Sequence, residues 1–392
     1  MGHIQRIYQK MCAFTVFHGL WEFPLFRHFA AYAKAPAGSD EKLLAYGAFV
    51  AEIYKGGANL TDCVKREVLE HENLYVKAMG AGEKISPCIA SAAHRELSVL
   101  TRFAELTPAD FAADLAVDFS LPVFESSEID LAEEYESRLA DIKRYGYGMF
   151  ASSAMFSVTE DGEIEPIVSA DRITLDRFVG YEAERARVIH NTEMLLEGRP
   201  AANALLYGDA GTGKSSTVKA VVNHFFDRGL RLIELRKNQL LLLPKVMEKI
   251  GHNPLKFIIF IDDLSFNRND DSFSMLKAAL EGSAAAVAKN AVIYATSNRR
   301  HIVKESFSDR EGGDVHRNDS VQETLSLSAR FGLVVLFAKP EKKLYLEIIH
   351  ELAARYGIEK DTAALETEAE AFALARGYRS ARCAEQFIES LL

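Results

Sequence analysis

Apolar residues recur at helical spacing through the first third of the chain. Residues 39–54 keep this period and end before two glycines, and further helical stretches cover 61–80 and 129–145. Another begins at Ser86-Pro87, with proline at the first helical position. Apolar positions three and four residues apart lie on one face of a helix. We therefore predict a mainly α-helical N-terminal domain.

The hydrophobic period changes after residue 150. Residues 155–158 and 164–168 form short β-like runs on either side of Glu160-Asp161-Gly162, which predicts a β-hairpin. Pro166 cannot donate a backbone hydrogen bond, so the second strand should be an edge strand. We place the domain boundary at 169–174, which assigns the hairpin to an N-terminal domain of residues 1–170.

Short β-branched runs alternate with helical stretches from residue 175 onward. The runs cover 204–207, 230–235, 257–261, 292–295 and 333–337. Such alternation is typical of βαβ units, so we predict an α/β fold with a five-stranded parallel sheet between helices. No strand pattern remains after Pro340. The predicted domains are therefore an α/β core at 171–340 and a small helical domain at 341–392.

The charge of the chain is unevenly distributed. The net charge of −10 comes from the N-terminal domain, where residues 1–170 hold 15 Lys and Arg against 25 Asp and Glu. An acidic surface repels a phosphate backbone, so nucleic acid is a disfavoured but not an excluded partner. No apolar run reaches the roughly 18 residues of a membrane helix, and the four cysteines form no CxxC pair. We expect a cytoplasmic protein without a membrane segment.

Residues 208–215 read GDAGTGKS and match the phosphate-binding pattern GxxxxGK[ST]. A β-like run precedes the motif and a helical stretch follows it, which is the context that the motif requires. Lys214 is expected to neutralise the β- and γ-phosphates of a nucleotide, and the Ser215 hydroxyl to ligate Mg²⁺. The residues predicted to bind the nucleotide here are Gly208, Asp209, Ala210, Gly211, Thr212, Gly213, Lys214, Ser215 and Ser216.

Polar residues end two of the other β-like runs. Asp262 and Asp263 directly follow the run 257–261, and Asn298 follows the run 292–295. Ligand sites form at the carboxyl ends of parallel strands. Asp262 is expected to hold Mg²⁺ through water, Asp263 to act as general base on the attacking water, and Asn298 to orient water or the γ-phosphate. Ordinary turns with solvated Asp and Asn side chains are the simpler alternative.

Three arginines complete the pattern: Arg330 precedes the last β-like run, and Arg379 and Arg382 open the final helical stretch. With these elements in this order, residues 171–392 resemble the AAA+ ATPases. The resemblance implies that Asn298 is sensor 1, that Arg330 is an arginine finger for a neighbouring subunit, and that Arg379 or Arg382 is sensor 2. It also implies that the segment with Val179 and Gly180 packs on adenine.

Three sequence runs narrow the resemblance. The runs LLYGDAGTGKSS, FIIFIDDLSF and IYATSNRRH look like the family of uncharacterised bacterial AAA+ ATPases called DUF815. The implied function is Mg²⁺-dependent ATP binding and hydrolysis to ADP in a homo-oligomer, coupled to remodelling or loading of an unidentified protein client.

Two alternative functions stay open. Many AAA+ ATPases have Glu where this chain has Asp263, which is one methylene shorter, so one alternative is a slow-turnover switch. A DNA-associated loader is the other alternative, although NRRH supplies only a short basic spot. The polar insertion 302–324 is a further candidate for a functional loop.

Overall fold

The computed structural model describes residues 2–115, 117–169, 173–265, 288–298 and 330–392, together with Leu276 and Leu280. The chain divides into two compact units, Met1–Ser152 and Ser153–Leu392. The insertion 302–324 lies outside the described residues.

The first unit is helical, as its apolar periodicity predicts. Its helices are α1 (His3–Met11), α2 (Pro24–Lys34), α3 (Asp40–Lys55), α4 (Leu60–Glu70), α5 (Leu74–Ala81), α6 (Pro87–Ala104), α7 (Pro108–Leu115), α8 (Leu131–Ala140), α9 (Ile142–Tyr145) and α10 (Met149–Ser152). Their apolar faces bury an aromatic core that includes Phe29, Phe49, Phe103 and Phe111. The rings of Phe29 and Phe103 have centroids 4.5 Å apart.

Two helices predicted in this unit are each divided in the structure. The stretch 129–145 forms α8 and α9, because Asp141 between them has non-helical backbone angles, so its prediction as one helix was wrong. The stretch 61–80 breaks between Glu70 and Leu74, so the prediction of one continuous helix was wrong. The Asn73 side chain accepts a hydrogen bond from the Val76 backbone N–H at 2.9 Å and caps a new helix start. An Asn side chain competes in this way with continuation of the preceding helix.

The second unit contains a seven-stranded sheet. Its strands are β1 (Met155–Val158), β2 (Ile164–Pro166), β3 (Ala204–Gly208), β4 (Leu230–Glu234), β5 (Lys256–Ile261), β6 (Ala291–Ser297) and β7 (Leu333–Phe337). The order across the sheet is β2-β1-β4-β5-β6-β3-β7, and every neighbouring pair is parallel except β1 and β2. All five predicted parallel strands are present, and the hairpin adds two more.

The hairpin belongs to the second unit and not to the N-terminal domain. Strand β1 pairs in parallel with β4, with Met155 opposite Leu232 and Phe156 opposite Ile233. The division between the two units therefore falls after Ser152 and not at 169–174, where the sequence pattern had put it. The hairpin is a local signal, whereas its pairing with β4 spans more than seventy residues, so the sequence pattern does not reveal it.

Helices flank the sheet and form a separate cluster at the C-terminus. They are α11 (Glu182–Leu196), α12 (Lys214–Phe225), α13 (Leu243–Ile250), α14 (Lys342–Arg355), α15 (Thr362–Arg376) and α16 (Ala381–Glu389). The last three share a core that includes Tyr345, Ile349, Ala369 and Phe387. Among the described residues, no helix is long and apolar enough to cross a membrane.

Candidate nucleotide-binding site

The glycine loop joins β3 to the N-terminus of α12. Gly208 has φ +137°, and a Cβ on it would lie 2.0 Å from the carbonyl oxygen of Phe337 in the neighbouring strand β7. Gly213, directly before α12, has φ +88°. Both conformations favour glycine. The loop therefore turns tightly and leads into a helix N-terminus, where free N–H groups and the helix dipole favour an anion.

The Lys214 side chain lies folded over this loop. Its Nζ donates hydrogen bonds to the carbonyl oxygens of Gly208 at 2.9 Å and Asp209 at 2.7 Å, and to Asn298 Oδ1 at 3.1 Å. Burial lowers the pKa of Lys214, and nearby carboxylates, that of Asp209 foremost, oppose this shift. A bound phosphate would give the buried ammonium the charged partner that two carbonyls and an amide only approximate.

Asp262 is held by two hydroxyl groups at the end of β5. Ser215 Oγ donates to Asp262 Oδ1 at 2.6 Å, and the Thr296 hydroxyl donates to the same oxygen. The first helical turn after the glycine loop is thus tied directly to the end of β5. This contact brings together the two side chains that were predicted to hold Mg²⁺.

Asp263 has a constrained backbone and a partner at the end of β6. Its φ is +49°, which is rare for a residue other than glycine. Its N–H donates to Thr296 Oγ1 at 2.9 Å, and its Oδ1 accepts from Asn298 Nδ2 at 2.9 Å. Because Asn298 also accepts from Lys214, one amide links the cation of the loop to the second acid.

A cavity of about 290 Å³ collects most of the predicted site residues. It lies among the glycine loop, the ends of β5 and β6, the segment before α11, and helices α14 and α16. The predicted residues that line it are Val179, Ala210, Gly211, Thr212, Gly213, Lys214, Ser215, Ser216, Asp262, Asp263, Asn298 and Arg382.

The two arginines at the start of α16 have different surroundings. Arg379 forms a bidentate pair with Glu370, with Nε and Nη2 at 2.9 and 2.7 Å from the carboxylate oxygens, and this pair raises the pKa of Arg379. Arg382 lines the cavity, and its backbone N–H donates to the Gly211 carbonyl at 3.2 Å. Of the two sensor 2 candidates, the structure brings Arg382 to the cavity and leaves Arg379 on Glu370.

Four other predicted residues are not part of the cavity lining that the structure describes. Gly208 is the last residue of β3, where the glycine loop begins. The Asp209 carboxylate accepts a hydrogen bond from the Lys339 backbone N–H at 3.0 Å. Gly180 has φ +75°, and a Cβ on it would lie 2.5 Å from Leu344 on α14. Arg330 lies three residues before the start of β7. A finger acts in a neighbouring subunit, so that role for Arg330 remains a prediction.

Sequence reasoning missed several residues of the cavity. Thr296 was not among the predicted residues, yet its hydroxyl contacts the Asp262 carboxylate and the Asp263 backbone N–H; its place at the end of a buried strand could have identified it. Arg185 lies 5.3 Å from the ring centroid of Phe178, and both line the cavity. The contributions of α14, and that of Glu385 on α16, come from tertiary packing and have no local signal.

The parallel sheet with its glycine loop, followed by the C-terminal helical cluster, defines a P-loop nucleotide-binding fold of the AAA+ type. The chain belongs to the family described as a protein of unknown function, DUF815, whose model matches residues 151–392. The predicted family is therefore confirmed.

Curated proteins and solved structures were also compared with the chain. No curated protein matches it. Among solved structures it is similar to Thermotoga maritima RuvB, the Holliday junction branch migration motor, with 15% identity over 56% of this chain and 72% of that chain and a TM-score of 0.35. A lysine-to-arginine variant of that protein matches over the same shares with 14% identity and a TM-score of 0.34.

Proposed function

We propose that this protein binds ATP with Mg²⁺ and hydrolyses it to ADP and phosphate. The observation that carries the proposal is the single cavity that unites the glycine loop, Lys214, the Asp262–Asp263 pair and Asn298. Phosphoryl transfer to water requires a phosphate cradle, a cation for the developing charge and a polar group for the water. These three requirements correspond to the loop, to Lys214, and to Asp263 with Asn298.

The side chains present fit a magnesium ion only when nucleotide is bound. Ser215 Oγ and the Asp262 carboxylate are hard oxygen donors at hydrogen-bond distance from each other. No cluster of three or more His, Cys, Asp or Glu suitable for a metal ion occurs in the described part of the chain. Mg²⁺ typically takes one or two carboxylate ligands and completes its shell with phosphates and water. The ion would neutralise phosphate charge at Ser215 and Asp262.

Asn298 would orient the attacking water, and Asp263 would accept its proton. The Asp263 carboxylate accepts from the Asn298 amide, which also accepts from Lys214. A nucleotide that draws Lys214 onto its phosphates would leave the Asn298 carbonyl oxygen free to accept from water. Asp263 would then take the proton from that water as it attacks the γ-phosphate.

Calorimetric titration with ATP and Mg²⁺ tests the binding step. Lys214→Ala should weaken ATP affinity by about tenfold or more, because a charge-assisted contact to phosphate is lost. Lys219→Ala, on the same helix α12 but outside the cavity lining, is the matched control and should retain wild-type affinity. An unchanged ATP affinity of Lys214→Ala would refute the assignment of the glycine loop to phosphate binding.

The slow-turnover switch is a second candidate that a specific contact favours. The Asp263 carboxylate is already bonded to Asn298 and lies on a strained backbone, so its movement toward water is restricted. Phosphate release that persists over many turnovers and disappears in Asp263→Asn supports the ATPase. Tight ATP binding with less than one turnover in an hour supports the switch.

We further propose that nucleotide binding is coupled to a protein client in a homo-oligomer. The support is the AAA+ type of fold and the acidic N-terminal unit, which would attract a basic protein surface. An Asp263→Asn chain that traps ATP should retain a client that Lys214→Ala does not. Equal recovery of every protein by both variants would contradict this coupling.

A further inference from the structure

Helix α16 places two charged side chains on the wall of the nucleotide cavity. One is Arg382, and the other is Glu385, three residues later. Residues three apart on an α-helix share a face and stand about 4.5 Å apart along its axis. Unlike Asp262 and Asp263, the Glu385 carboxylate has no role toward Mg²⁺ or water in the proposed reaction, so its place in a phosphate-binding cavity requires a partner of its own.

Glu385 lies on α16 beyond the point where this helix contacts the glycine loop. Burial and the neighbouring Glu389 raise the pKa of Glu385, and Arg382 and Arg355 oppose that shift. The pKa of Lys214 responds to three aspartates and to Arg382. The backbone N–H of Arg382 contacts the Gly211 carbonyl oxygen of the glycine loop at 3.2 Å, and Glu385 lies three residues further along α16 from this contact.

Part of the cavity wall is apolar. Val179 before α11 and Ile348 and Leu352 on α14 line the same cavity. The cavity wall therefore contains the cationic loop with Arg382 beside it, the Glu385 carboxylate further along α16, and aliphatic side chains. A nucleotide presents phosphates, a sugar and a base, and aliphatic side chains suit the flat faces of the base.

The carboxylate of Glu385 is available to a ligand. Glu385 is an exposed residue of the cavity lining, and no hydrogen bond or ion pair holds its carboxylate among the residues that the structure describes. An ionised carboxylate only accepts hydrogen bonds and offers two oxygens. The sugar of a ribonucleotide presents two neighbouring donors, its 2′- and 3′-hydroxyl groups.

We propose that Glu385 accepts hydrogen bonds from the ribose hydroxyl groups of the bound nucleotide and makes the site selective for ribonucleotides. This inference rests on the proposed ATP-binding function. Hydrogen bonds to a charged acceptor are stronger than those between neutral groups. A ligand without the hydroxyl groups would leave the carboxylate unpaired in a partly desolvated site, which adds to the discrimination.

Competition titrations with ATP and 2′,3′-dideoxy-ATP on the full-length chain test the proposal. The wild-type chain should prefer ATP by about tenfold or more. Glu385→Ala should reduce this preference to about twofold or less, mainly through weaker binding of ATP. Glu385→Gln keeps the size of the side chain and one acceptor oxygen, so its preference should lie between the two. Separate titrations with 2′-deoxy-ATP and 3′-deoxy-ATP then identify the hydroxyl group that contributes more.

Glu389→Ala is the matched control. It removes a glutamate one turn further along α16 that is not part of the cavity lining, so the preference for ATP should remain at the wild-type value. Circular dichroism melting checks that Glu385→Ala is folded; alanine favours the helix, so the melting temperature should be unchanged or higher.

Two outcomes overturn the proposal while leaving ATP binding intact. One is an equal preference for ATP over the dideoxy analogue in wild type and Glu385→Ala. The other is an altered preference between ATP and GTP in Glu385→Ala with no change in the sugar preference, which assigns the carboxylate to the base. A wild-type chain that binds no ATP at all overturns the proposed function as well, and the ATP titration alone identifies that case.

Discussion

Glu67 in the first unit is a carboxylate whose ionisation the fold opposes. Its Oε2 is buried without a hydrogen-bond partner among the described residues, and burial raises the pKa of Glu67 from 4.5 to about 7. Between these two values the folded chain binds the proton more tightly than the unfolded chain. The free energy of unfolding therefore falls as pH rises through that window, and the penalty is complete above pH 7.

Glu67→Gln should remove this pH dependence. We expect the variant to be more stable than wild type at pH 8 by about 1–2 kcal/mol, after allowance for solvent screening, and equally stable at pH 4.5. Thermal melting of the full chain between pH 4.5 and 8.5 measures the difference. Glu83→Gln, which alters an exposed glutamate, should follow the wild-type profile. Parallel profiles for Glu67→Gln and wild type would contradict the assignment.

The two arginines at the start of α16 predict opposite mutant phenotypes. Arg382→Ala should weaken ATP binding by about tenfold and leave the melting temperature nearly unchanged, because its side chain is exposed in the cavity. Arg379→Ala should retain ATP affinity within about twofold and lower the melting temperature, because Glu370 loses its bidentate partner. Calorimetry and melting on both variants separate the two roles. The reverse pattern would make Arg379 the nucleotide residue.

Residues of the site differ in how far the sequence reveals them. Lys214 and Ser215 belong to a contiguous motif whose spacing suits the phosphates that we propose it binds, so one sequence suffices to find them. Thr296 and Glu385 have no such motif. They join the site because β6 pairs with β5 and because α16 meets the glycine loop, and both contacts are long-range.

At the scale of elements, the close approach of β3 and β7 depends on Gly208. A Cβ at this position would lie 2.0 Å from the Phe337 carbonyl oxygen, so the two strands would have to separate. Gly208→Ala should therefore destabilise the second unit by about 3 kcal/mol or more and abolish ATP binding. Gly377→Ala tests backbone strain alone, since it has φ +78° and nothing within 4 Å of its added Cβ. We expect Gly377→Ala to lower the free energy of unfolding by about 1 kcal/mol, measured by denaturant unfolding. Similar losses in both variants would contradict the steric argument.

Some elements can be predicted from local hydrophobic patterns, whereas others depend on a single capping residue or on long-range pairing. The strands β3 to β7 were predictable because buried parallel strands are continuous apolar runs, and β5 reads KFIIFI. The break between α4 and α5 was not predictable in this way, because the apolar period continues across it and the capping side chain of Asn73 nevertheless starts a new helix. The hairpin was recognised from its turn, but its sheet partner β4 lies far along the chain.

For the whole molecule, the position of β1 predicts where the chain can be cut. A truncated chain that begins at Ser153 keeps β1 on β4, whereas one that begins at Ser169 leaves β4 as an exposed edge. The longer chain should bind ATP with wild-type affinity. The shorter chain should melt at a lower temperature and aggregate, because an uncovered apolar edge strand pairs with other chains. Light scattering and melting compare them, and equal behaviour would show that the hairpin is dispensable.

Assembly provides the last prediction, which concerns Arg330. If Arg330 reaches the γ-phosphate of a neighbouring subunit, each active site needs two chains, and hydrolysis per chain should rise with protein concentration. Arg330→Ala should bind ATP with wild-type affinity and hydrolyse it about 10³-fold more slowly, as loss of an arginine finger does. Lys214→Ala should hydrolyse little ATP, because it binds the nucleotide weakly and lacks the cation beside the phosphates. A mixture of the two variants should nevertheless hydrolyse ATP, since an interface between them combines an intact Lys214 site with an intact Arg330. Steady-state phosphate release from the mixture, compared with each variant alone, measures this recovery. A mixture no more active than its components, or full activity from a monomer, would assign Arg330 to its own chain.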